Sequence, residues 1–193
     1  MSSWLPAELP VLVNVGDLSF VPLTPALLDE DYAAVMRDTP MLRAWSGQDW
    51  PTTDFPIEGN LADLEWHDRE QRERIALTYS VLLDDVVQGC IYVRPLSDAL
   101  RTREVAAADI ASLPSADVVV RGWLHDAPAV ELIAACMTWL TRPPFAFPRL
   151  WWQTNSDCPD QLSACDALGL TDVLRFAGAD RAWELRTAPR KGP

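Results

Sequence analysis

The segment 117–140, DVVVRGWLHDAPAVELIAACMTWL, constrains the fold more than any other stretch, because it joins a buried strand directly to an apolar helix. The valines at 118–120 begin a β-branched and aromatic run that predicts a strand buried on both faces. Residues 125–128, HDAP, end this strand, and Asp126 is the predicted cap of a helix whose apolar residues recur nearly all round over 130–140. The first turn of a helix has N–H groups without intrahelical partners, so the junction predicts an anion-binding site.

The composition is typical of one globular domain in the cytoplasm. Acidic side chains outnumber basic ones by 28 to 16 in the 193 residues, and the formal net charge is −12. Such a charge repels nucleic acid and anionic membrane surfaces but attracts cationic small molecules. No stretch has the length of a membrane span, and no basic region precedes an apolar block at the N-terminus. We therefore expect a cytoplasmic protein without nucleic-acid or membrane partners.

The cysteines predict neither a disulfide framework nor a metal site. Cys90, Cys136, Cys158 and Cys165 have no CxxC spacing, and the sequence contains only two histidines. We expect buried free thiols in a reducing compartment.

Periodicity and turn residues divide the rest of the chain into alternating strands and helices. We predict an N-terminal arm over 1–17, which is either extended or a short edge strand, one domain over 18–188 and a frayed tail over 189–193. The predicted elements are a strand (18–23), a helix (26–37), an aromatic-rich loop (38–59), a charged helix (60–74), a hairpin turning at Asp84-Asp85 (75–93), a loop with a helical turn (95–114), the central strand and helix, a proline-rich crossover (143–148), a strand (150–154), a helix ended by Gly169 (160–168) and a closing hairpin (173–186). Gly89 marks a β-bulge in the first hairpin.

This succession of elements resembles the GNAT superfamily of N-acetyltransferases. The stretch 66–95, WHDREQRERIALTYSVLLDDVVQGCIYVRP, is similar to the second helix and hairpin of bacterial members, and 166–170, DALGL, is similar to the element that ends the last GNAT helix. The resemblance implies an α/β (α+β) fold in a single domain, with a mixed, mostly antiparallel sheet flanked by helices. It also implies acetyl-CoA as co-substrate and an amine, which we take to be a small molecule, as acceptor.

The resemblance implies a place for the co-substrate. In this superfamily the strands that correspond to 118–124 and 150–154 splay apart, and the pantetheine arm lies between them. Backbone amides of the first strand would polarise the thioester carbonyl, and the pyrophosphate would lie on the N-terminus of the helix that begins near Pro128. The implied cofactor-binding residues are Trp123, Leu124, His125, Ala129, Val130 and Asn155.

Two positions depart from the superfamily pattern. Where members have a glycine-rich phosphate loop, this chain reads HDAPAV over 125–130, without glycine and with the negative charge of Asp126. Where many members have a tyrosine that protonates the leaving thiolate, counting back from Gly169 reaches Cys165. This thiol is either the proton donor or a buried structural cysteine.

Transfer to an amine requires a base, and the charged helix offers two. His67 and Glu65 are the candidate bases, with the alternatives of a solvated histidine and of a surface partner for Arg69. Three aromatic residues of the long loop, Trp45, Trp50 and Phe55, either form a wall that receives a cationic substrate or cap the core.

Two hypotheses therefore remain open. The first is an acetyl-CoA-dependent N-acetyltransferase in which the amine attacks the thioester directly. The second is a GNAT-like binding or assembly module that has lost acetyl-CoA, in which side chains such as Trp123 or Trp152 plug the cleft between the strands. Tryptophans exposed beyond the needs of the core would in addition indicate a homodimer.

Overall fold

A computed structural model describes residues 4–101, 114, 116–177 and 181–189. The strands in these parts of the chain form one eight-stranded sheet with the order β1-β2-β3-β4-β5-β6-β8-β7. The strands are β1 (Val13–Val15), β2 (Leu18–Pro22), β3 (Leu77–Leu83), β4 (Val86–Pro95), β5 (Val118–Leu124), β6 (Leu150–Asn155), β7 (Asp172–Ala177) and β8 (Ala182–Thr187). Neighbours are antiparallel except β5 and β6, which are parallel. The predicted mixed, mostly antiparallel α/β fold is confirmed.

Helices cover both faces of this sheet. Within the described residues they are a 3₁₀ turn (Pro25–Leu27), α1 (Leu28–Arg37), α2 (Thr39–Ser46), α3 (Ile57–Arg72), α4 (Leu96–Arg101), α5 (Ala129–Trp139) and α6 (Pro159–Ala167). The face under α5 and α6 holds the largest apolar cluster, which includes Tyr79, Val120 and Trp152. Two smaller clusters lie under α1 to α4 on the opposite face.

The strand and helix of the central segment form as predicted. Val118 and Val120 are buried in the cluster under α5, whereas Val119 is buried on the other face, so β5 is covered on both sides. Trp151 and Trp152 of β6 likewise lie on opposite faces of the sheet.

The first hairpin turns at the predicted residues. Asp84 and Asp85 have φ angles of 51° and 62°, as a two-residue turn of type I′ requires. The register of β3 and β4 shifts beside Gln88, which makes that residue the bulge. The neighbouring Gly89 has no room for a side chain, because a Cβ there would lie 2.1 Å from the Trp123 carbonyl oxygen.

The prediction of one long loop over 38–59 is wrong. Residues Thr39–Ser46 form α2, whose N-terminus is capped by Asp38 through a 3.0 Å hydrogen bond from the Met41 N–H. Pro40 lies in the first turn, where its missing N–H costs nothing. Gly47 ends the helix with a φ of 72°. Pro40 and Gly47 thus mark the two ends of a helix and not a loop.

The cap predicted for α5 is also wrong. The N-cap position is Pro128, and no side chain caps it. Asp126 has a φ of 58° and pairs with Arg37 of α1 instead, through two 2.7 Å hydrogen bonds.

The N-terminal arm packs against the domain. Leu5 is buried in the large cluster, and Trp4 stacks on Phe147 with a centroid distance of 5.8 Å. The indole of Trp4 also donates to the Arg74 carbonyl at 2.8 Å. The predicted turn at 178–180 and most of the predicted tail lie outside the described residues. Among the described helices, none has the length and apolar character needed to cross a membrane.

Candidate active site

The strands β5 and β6 lie side by side for three residues and then separate. Their pairing covers only Val118–Val120 of β5 against Leu150–Trp152 of β6, although β5 continues to Leu124 and β6 to Asn155. Each strand remains paired on its other side, with β4 and with β8. A gap therefore opens in the sheet beyond Val120 and Trp152.

One side chain bridges this gap. The Gln161 amide, which projects from α6, donates through Nε2 to the Gly122 carbonyl of β5 at 2.9 Å. Its Oε1 accepts a 3.1 Å hydrogen bond from Nε1 of Trp152 on β6. Because the N–H and C=O of one strand residue point to the same edge, the Gly122 N–H faces the gap too. The group that fills the cleft is thus a buried glutamine together with Trp152, whereas Trp123 lies in the cluster on the opposite face.

The loop after β5 leads to the uncapped N-terminus of α5. His125 is buried, and its Nε2 lies 3.0 Å from the Ala34 carbonyl of α1. Asp126 also turns toward α1, where Arg37 holds the pKa of its carboxyl below the ordinary value. In the described part of the chain, no side chain caps the first helical turn, which includes Ala129 and Val130. An anion site requires such uncapped N–H groups.

A cavity of about 390 Å³ lies beside the gap, on the face of the sheet covered by α1 to α4. Arg121 forms part of its wall and is the first β5 residue beyond the point where the strands separate. The lining residues are Trp45, Ser46, Gln48, Trp50, Asp63, Trp66, His67, Tyr92, Arg94 and Arg121. We call this cavity the acceptor pocket.

His67 is the buried titratable group of the acceptor pocket. Its Nδ1 lies 3.2 Å from the Thr78 hydroxyl on β3, and its Nε2 lies 3.7 Å from the Asp63 carboxylate on the preceding turn of α3. Its ring also packs against Tyr92, with a centroid distance of 5.1 Å. The alternative of a solvated surface histidine is therefore wrong, since only 7% of the side chain is exposed. The role of His67 as a base stays a prediction.

Burial changes the pKa values of the acids around His67. It raises the pKa of Asp63, and it raises the pKa of Asp31, behind the pocket, to about 6 despite a 2.9 Å hydrogen bond from Asn60. The pKa of Glu70 is lowered instead. Burial disfavours its charge, but the His67 ring 3.7 Å away and a hydrogen bond from Arg94 hold its pKa below the ordinary value. The pocket therefore combines one well-stabilised carboxylate with others that accept protons more readily.

The aromatic side chains of the pocket already make contacts within the protein. The Arg121 guanidinium lies 3.9 Å from the centroid of the Trp45 ring, so this face of Trp45 already contacts a cation. Trp50 also lines the pocket, whereas Phe55 packs edge-on behind it at 6.1 Å. Trp66 is 41% exposed at the same cavity. The substrate roles of Trp45, Trp50 and Phe55 stay predictions.

Three other predicted site residues lie outside the pocket. Glu65 is exposed on α3. Cys165 is buried one turn after Gln161 on α6, and burial raises its pKa to about 12, which keeps the thiol protonated at neutral pH. Asn155 uses its amide to donate to the carbonyls of Ala44 and Trp45 at 3.0 and 3.2 Å, so it ties β6 to α2.

A larger cavity, of about 810 Å³, lies at the opposite end of the sheet. It is lined by Leu150 and Asp117, at the end where β5 and β6 are paired, together with residues of α5 such as Met137. At this end the sheet is closed by the pairing of β5 with β6. In the described part of the chain, no cluster of three or more His, Cys, Asp or Glu residues is arranged to hold a metal ion.

Solved structures with the same arrangement of elements are acetyltransferases. The microcin C7 self-immunity acetyltransferase MccE, crystallised with acetyl-CoA and AMP, superposes with a TM-score of 0.65 at 12% identity over 96% of this chain and 97% of its own. The ribosomal-protein-S5-alanine acetyltransferase of Vibrio fischeri gives 0.65 at 12% identity over 92% and 96%. This chain has the GNAT fold. The predicted resemblance is confirmed for the architecture.

Other comparisons add to this result only in part. A putative GNAT-family acetyltransferase from Bordetella pertussis has a TM-score of 0.64 at 14% identity, over 92% of this chain and 99% of its own. No protein-family model matches the sequence, and no curated protein matches it either. At such low identity the likeness shows the GNAT fold and not the activity.

Sequence reasoning missed several residues of this GNAT-fold site, among them Asp63, Tyr92, Arg94 and Gln161. Asp63 had a usable signal, because it precedes His67 by four residues and so shares its helical face. Gln161 had none, because its role depends on the separation of two strands that are distant from it in sequence.

Proposed function

We propose that this protein is an acetyl-CoA-dependent N-acetyltransferase that acetylates the amine of a small molecule. The observation that carries the proposal is the acceptor pocket beside the gap. A buried histidine and a carboxylate, His67 and Asp63, line a cavity that reaches Arg121, where β5 leaves β6. A base and a site for an extended thioester arm are thereby adjacent.

The residues present fit acetyl-CoA in two places. The gap offers the Gly122 C=O to an amide of the arm and the Gly122 N–H to the thioester carbonyl, and the uncapped N-terminus of α5 offers N–H groups to a pyrophosphate. One side chain must move, because Gln161 bridges the gap. Its primary amide makes the kind of hydrogen bonds that the arm's own amides would make in its place.

The proposed reaction is direct acyl transfer. The amine nitrogen forms a bond to the thioester carbonyl carbon, and the carbon–sulfur bond breaks to release the thiolate of CoA. His67 accepts the proton that the amine loses, and Asp63 stabilises the resulting imidazolium. The Gly122 N–H stabilises the charge on the carbonyl oxygen. The thiolate takes up a proton from solvent, because the predicted donor Cys165 is a weak one: burial raises its pKa to about 12.

The second candidate is a GNAT-fold binding module that does not take acetyl-CoA. Two observations favour it: the Gln161 bridge, which closes the gap, and the acids near α5. Asp126 is in the loop and Glu131 is in the first turn, where both lower the affinity for an anion. In this case the acceptor pocket alone would be functional.

Calorimetric titration with acetyl-CoA and with CoA at moderate salt separates the two candidates. The acetyltransferase requires saturable binding in the micromolar range. Absence of binding at millimolar acetyl-CoA, for the native protein and for Gln161→Ala alike, overturns the enzyme and leaves the binding module. If acetyl-CoA binds, thiol release with a panel of small amines then tests turnover.

A further inference from the structure

The two nitrogens of the His67 ring have different surroundings. Nε2 lies 3.7 Å from the Asp63 carboxylate, and Asp63 lines the acceptor pocket together with His67. Nδ1 lies beside the Thr78 hydroxyl and the Glu70 carboxylate, and both of these residues are buried and lie outside the pocket lining. An amine that enters from the pocket therefore approaches Nε2, which accepts its proton only if this nitrogen carries none.

The ring is fixed between two aromatic side chains. Its centroid lies 4.6 Å from that of Trp66 and 5.1 Å from that of Tyr92. Both nitrogens are thereby held beside their present neighbours. Because a neutral imidazole carries its proton on one nitrogen, and the partner of each nitrogen selects which, the neighbours of His67 determine whether Nε2 is a base.

A carboxylate lies beside each nitrogen, and Glu70 is the stronger partner. Both lie 3.7 Å from the ring, so distance does not separate them. Only 9% of the Glu70 side chain is exposed, against 33% for Asp63, and the Arg94 guanidinium lies 2.6 Å from the Glu70 carboxylate. Glu70 also has a lowered pKa and Asp63 a raised one, so Glu70 keeps its negative charge more firmly.

The surroundings of Nδ1 therefore favour a proton there. An ionised carboxylate only accepts hydrogen bonds, and its charge attracts an N–H more strongly in a buried place than in water. The Thr78 hydroxyl, 3.2 Å from Nδ1, can accept the same N–H. With the proton on Nδ1, the lone pair of Nε2 is left beside Asp63.

We propose that Glu70 is a positioning residue of the transfer site. Its carboxylate, held by Arg94, keeps the proton of the neutral His67 ring on Nδ1 and leaves Nε2 to accept the proton of the amine. The proposal rests on the proposed function for the transfer step. The place of the proton is a property of the protein alone, so it can be measured without acetyl-CoA.

Long-range ¹H–¹⁵N NMR of the labelled protein at about pH 8.5, well above the ordinary histidine pKa of about 6.5, shows which nitrogen carries the proton. The sequence has only two histidines, so His67→Gln assigns both sets of signals. His125 is an internal reference, because its Nε2 lies 3.0 Å from the Ala34 carbonyl, which can only accept. We expect the proton on Nδ1 in His67 and on Nε2 in His125. A proton on Nε2 of His67 would overturn the proposal.

Variants assign the effect to the Glu70 carboxylate. Glu70→Gln keeps the shape without the charge and should shift the His67 proton toward Nε2, whereas Glu70→Asp should keep part of the native preference. Glu73→Gln, at an exposed acid at the end of the same helix, is the matched control and should match the native protein. Thr78→Val should keep the proton on Nδ1. Unchanged His125 signals show that each variant is folded.

Two results with these variants contradict the proposal. One is a native His67 tautomer in Glu70→Gln. The other is a shift in Thr78→Val without one in Glu70→Gln, which would assign the effect to the hydroxyl. Neither result depends on acetyl-CoA, so both are distinct from a failure of the proposed function.

Kinetics extend the test to the transfer step. With a small amine that is acetylated, Glu70→Gln should lower kcat about tenfold or more, because the base has its proton on the wrong nitrogen, and should leave the KM for acetyl-CoA unchanged. An unchanged kcat would overturn the role of Glu70. Absence of turnover in the native protein counts against the proposed function, and the NMR result still tests Glu70.

Discussion

The two sides of the gap between β5 and β6 differ in what occupies them. On the acceptor side, a cavity of about 390 Å³ presents His67, Asp63 and Arg121. On the other side, where we propose that the co-substrate binds, the protein's own groups use the polar atoms: Gln161 bridges the strands, and Asp126 binds Arg37. The fold alone therefore does not settle activity, because the same splayed strands can be filled by a ligand or by the protein.

The largest expected effect concerns the acceptor side. His67→Gln should lower the rate of acetyl transfer by about 100-fold or more, because the base that accepts the amine proton is lost. Affinity for acetyl-CoA should hardly change, which steady-state kinetics and calorimetry would check together. Asp68→Asn, which removes an ion pair with Arg72 on the same helix, is the matched control. Equal rates in the two variants would remove His67 from the mechanism.

The buried acid behind the pocket should affect stability. Burial raises the pKa of Asp31 from 3.8 to about 6, so the folded state binds its proton more tightly than the unfolded state. Its contribution is therefore fully present below about pH 4 and is lost as the pH rises through about 6, at a cost of about 2–3 kcal/mol. Asp31→Asn should be more stable than the native protein at pH 7.

Denaturant unfolding at pH 4 and pH 7 checks this comparison. Taking the difference between native and Asp31→Asn proteins removes the contributions of Asp63, which have the same sign, and of Glu70, which have the opposite sign. If the difference in unfolding free energy between the native and Asp31→Asn proteins is the same at pH 4 and pH 7, the raised pKa of Asp31 is contradicted.

Loss of the Gln161 bridge should change both the stability of the protein and its affinity for acetyl-CoA. Gln161→Ala removes two hydrogen bonds and leaves the Gly122 carbonyl without its side-chain donor, so stability should fall by about 1–3 kcal/mol. If the gap receives the pantetheine arm, the affinity for acetyl-CoA should rise about tenfold, because no bridge has to be broken.

Gln71→Ala is the control for this change. Its side chain accepts a hydrogen bond from the Thr78 N–H, away from the gap, so only stability should change. Weaker binding of acetyl-CoA in Gln161→Ala would instead make Gln161 a ligand of the co-substrate.

The smallest effect is expected at the loop before α5. Asp126→Asn removes a negative charge from the proposed pyrophosphate site and should strengthen acetyl-CoA binding a few-fold at low salt. The gain should shrink as salt screens the charge. Asp85→Asn, an equally exposed acid at the hairpin turn, provides the comparison. The same gain in both variants would show a general effect of net charge.

Most of the architecture was open to prediction because its signals are local. The alternation in the first hairpin, the positive-φ residues Asp84 and Asp85 and the valine run of β5 each appear within a few residues of sequence. The prediction of a loop over 38–59 is wrong because proline and glycine mark helix ends as well as loops. His67 was found from the helix pattern and chemistry, whereas its burial could not be seen without β3 and β4.

Periodicity and residue chemistry are properties of neighbouring residues. The order of the strands and helices, the buried character of β5 and the presence of a histidine on α3 therefore follow from local sequence. Packing between distant elements places Gln161 across the gap, turns Asp126 to Arg37 and sets Arg121 over Trp45. These contacts join residues 39, 89 and 76 positions apart in the chain. Their geometry depends on how the sheet and its helices pack, and no local pattern encodes it.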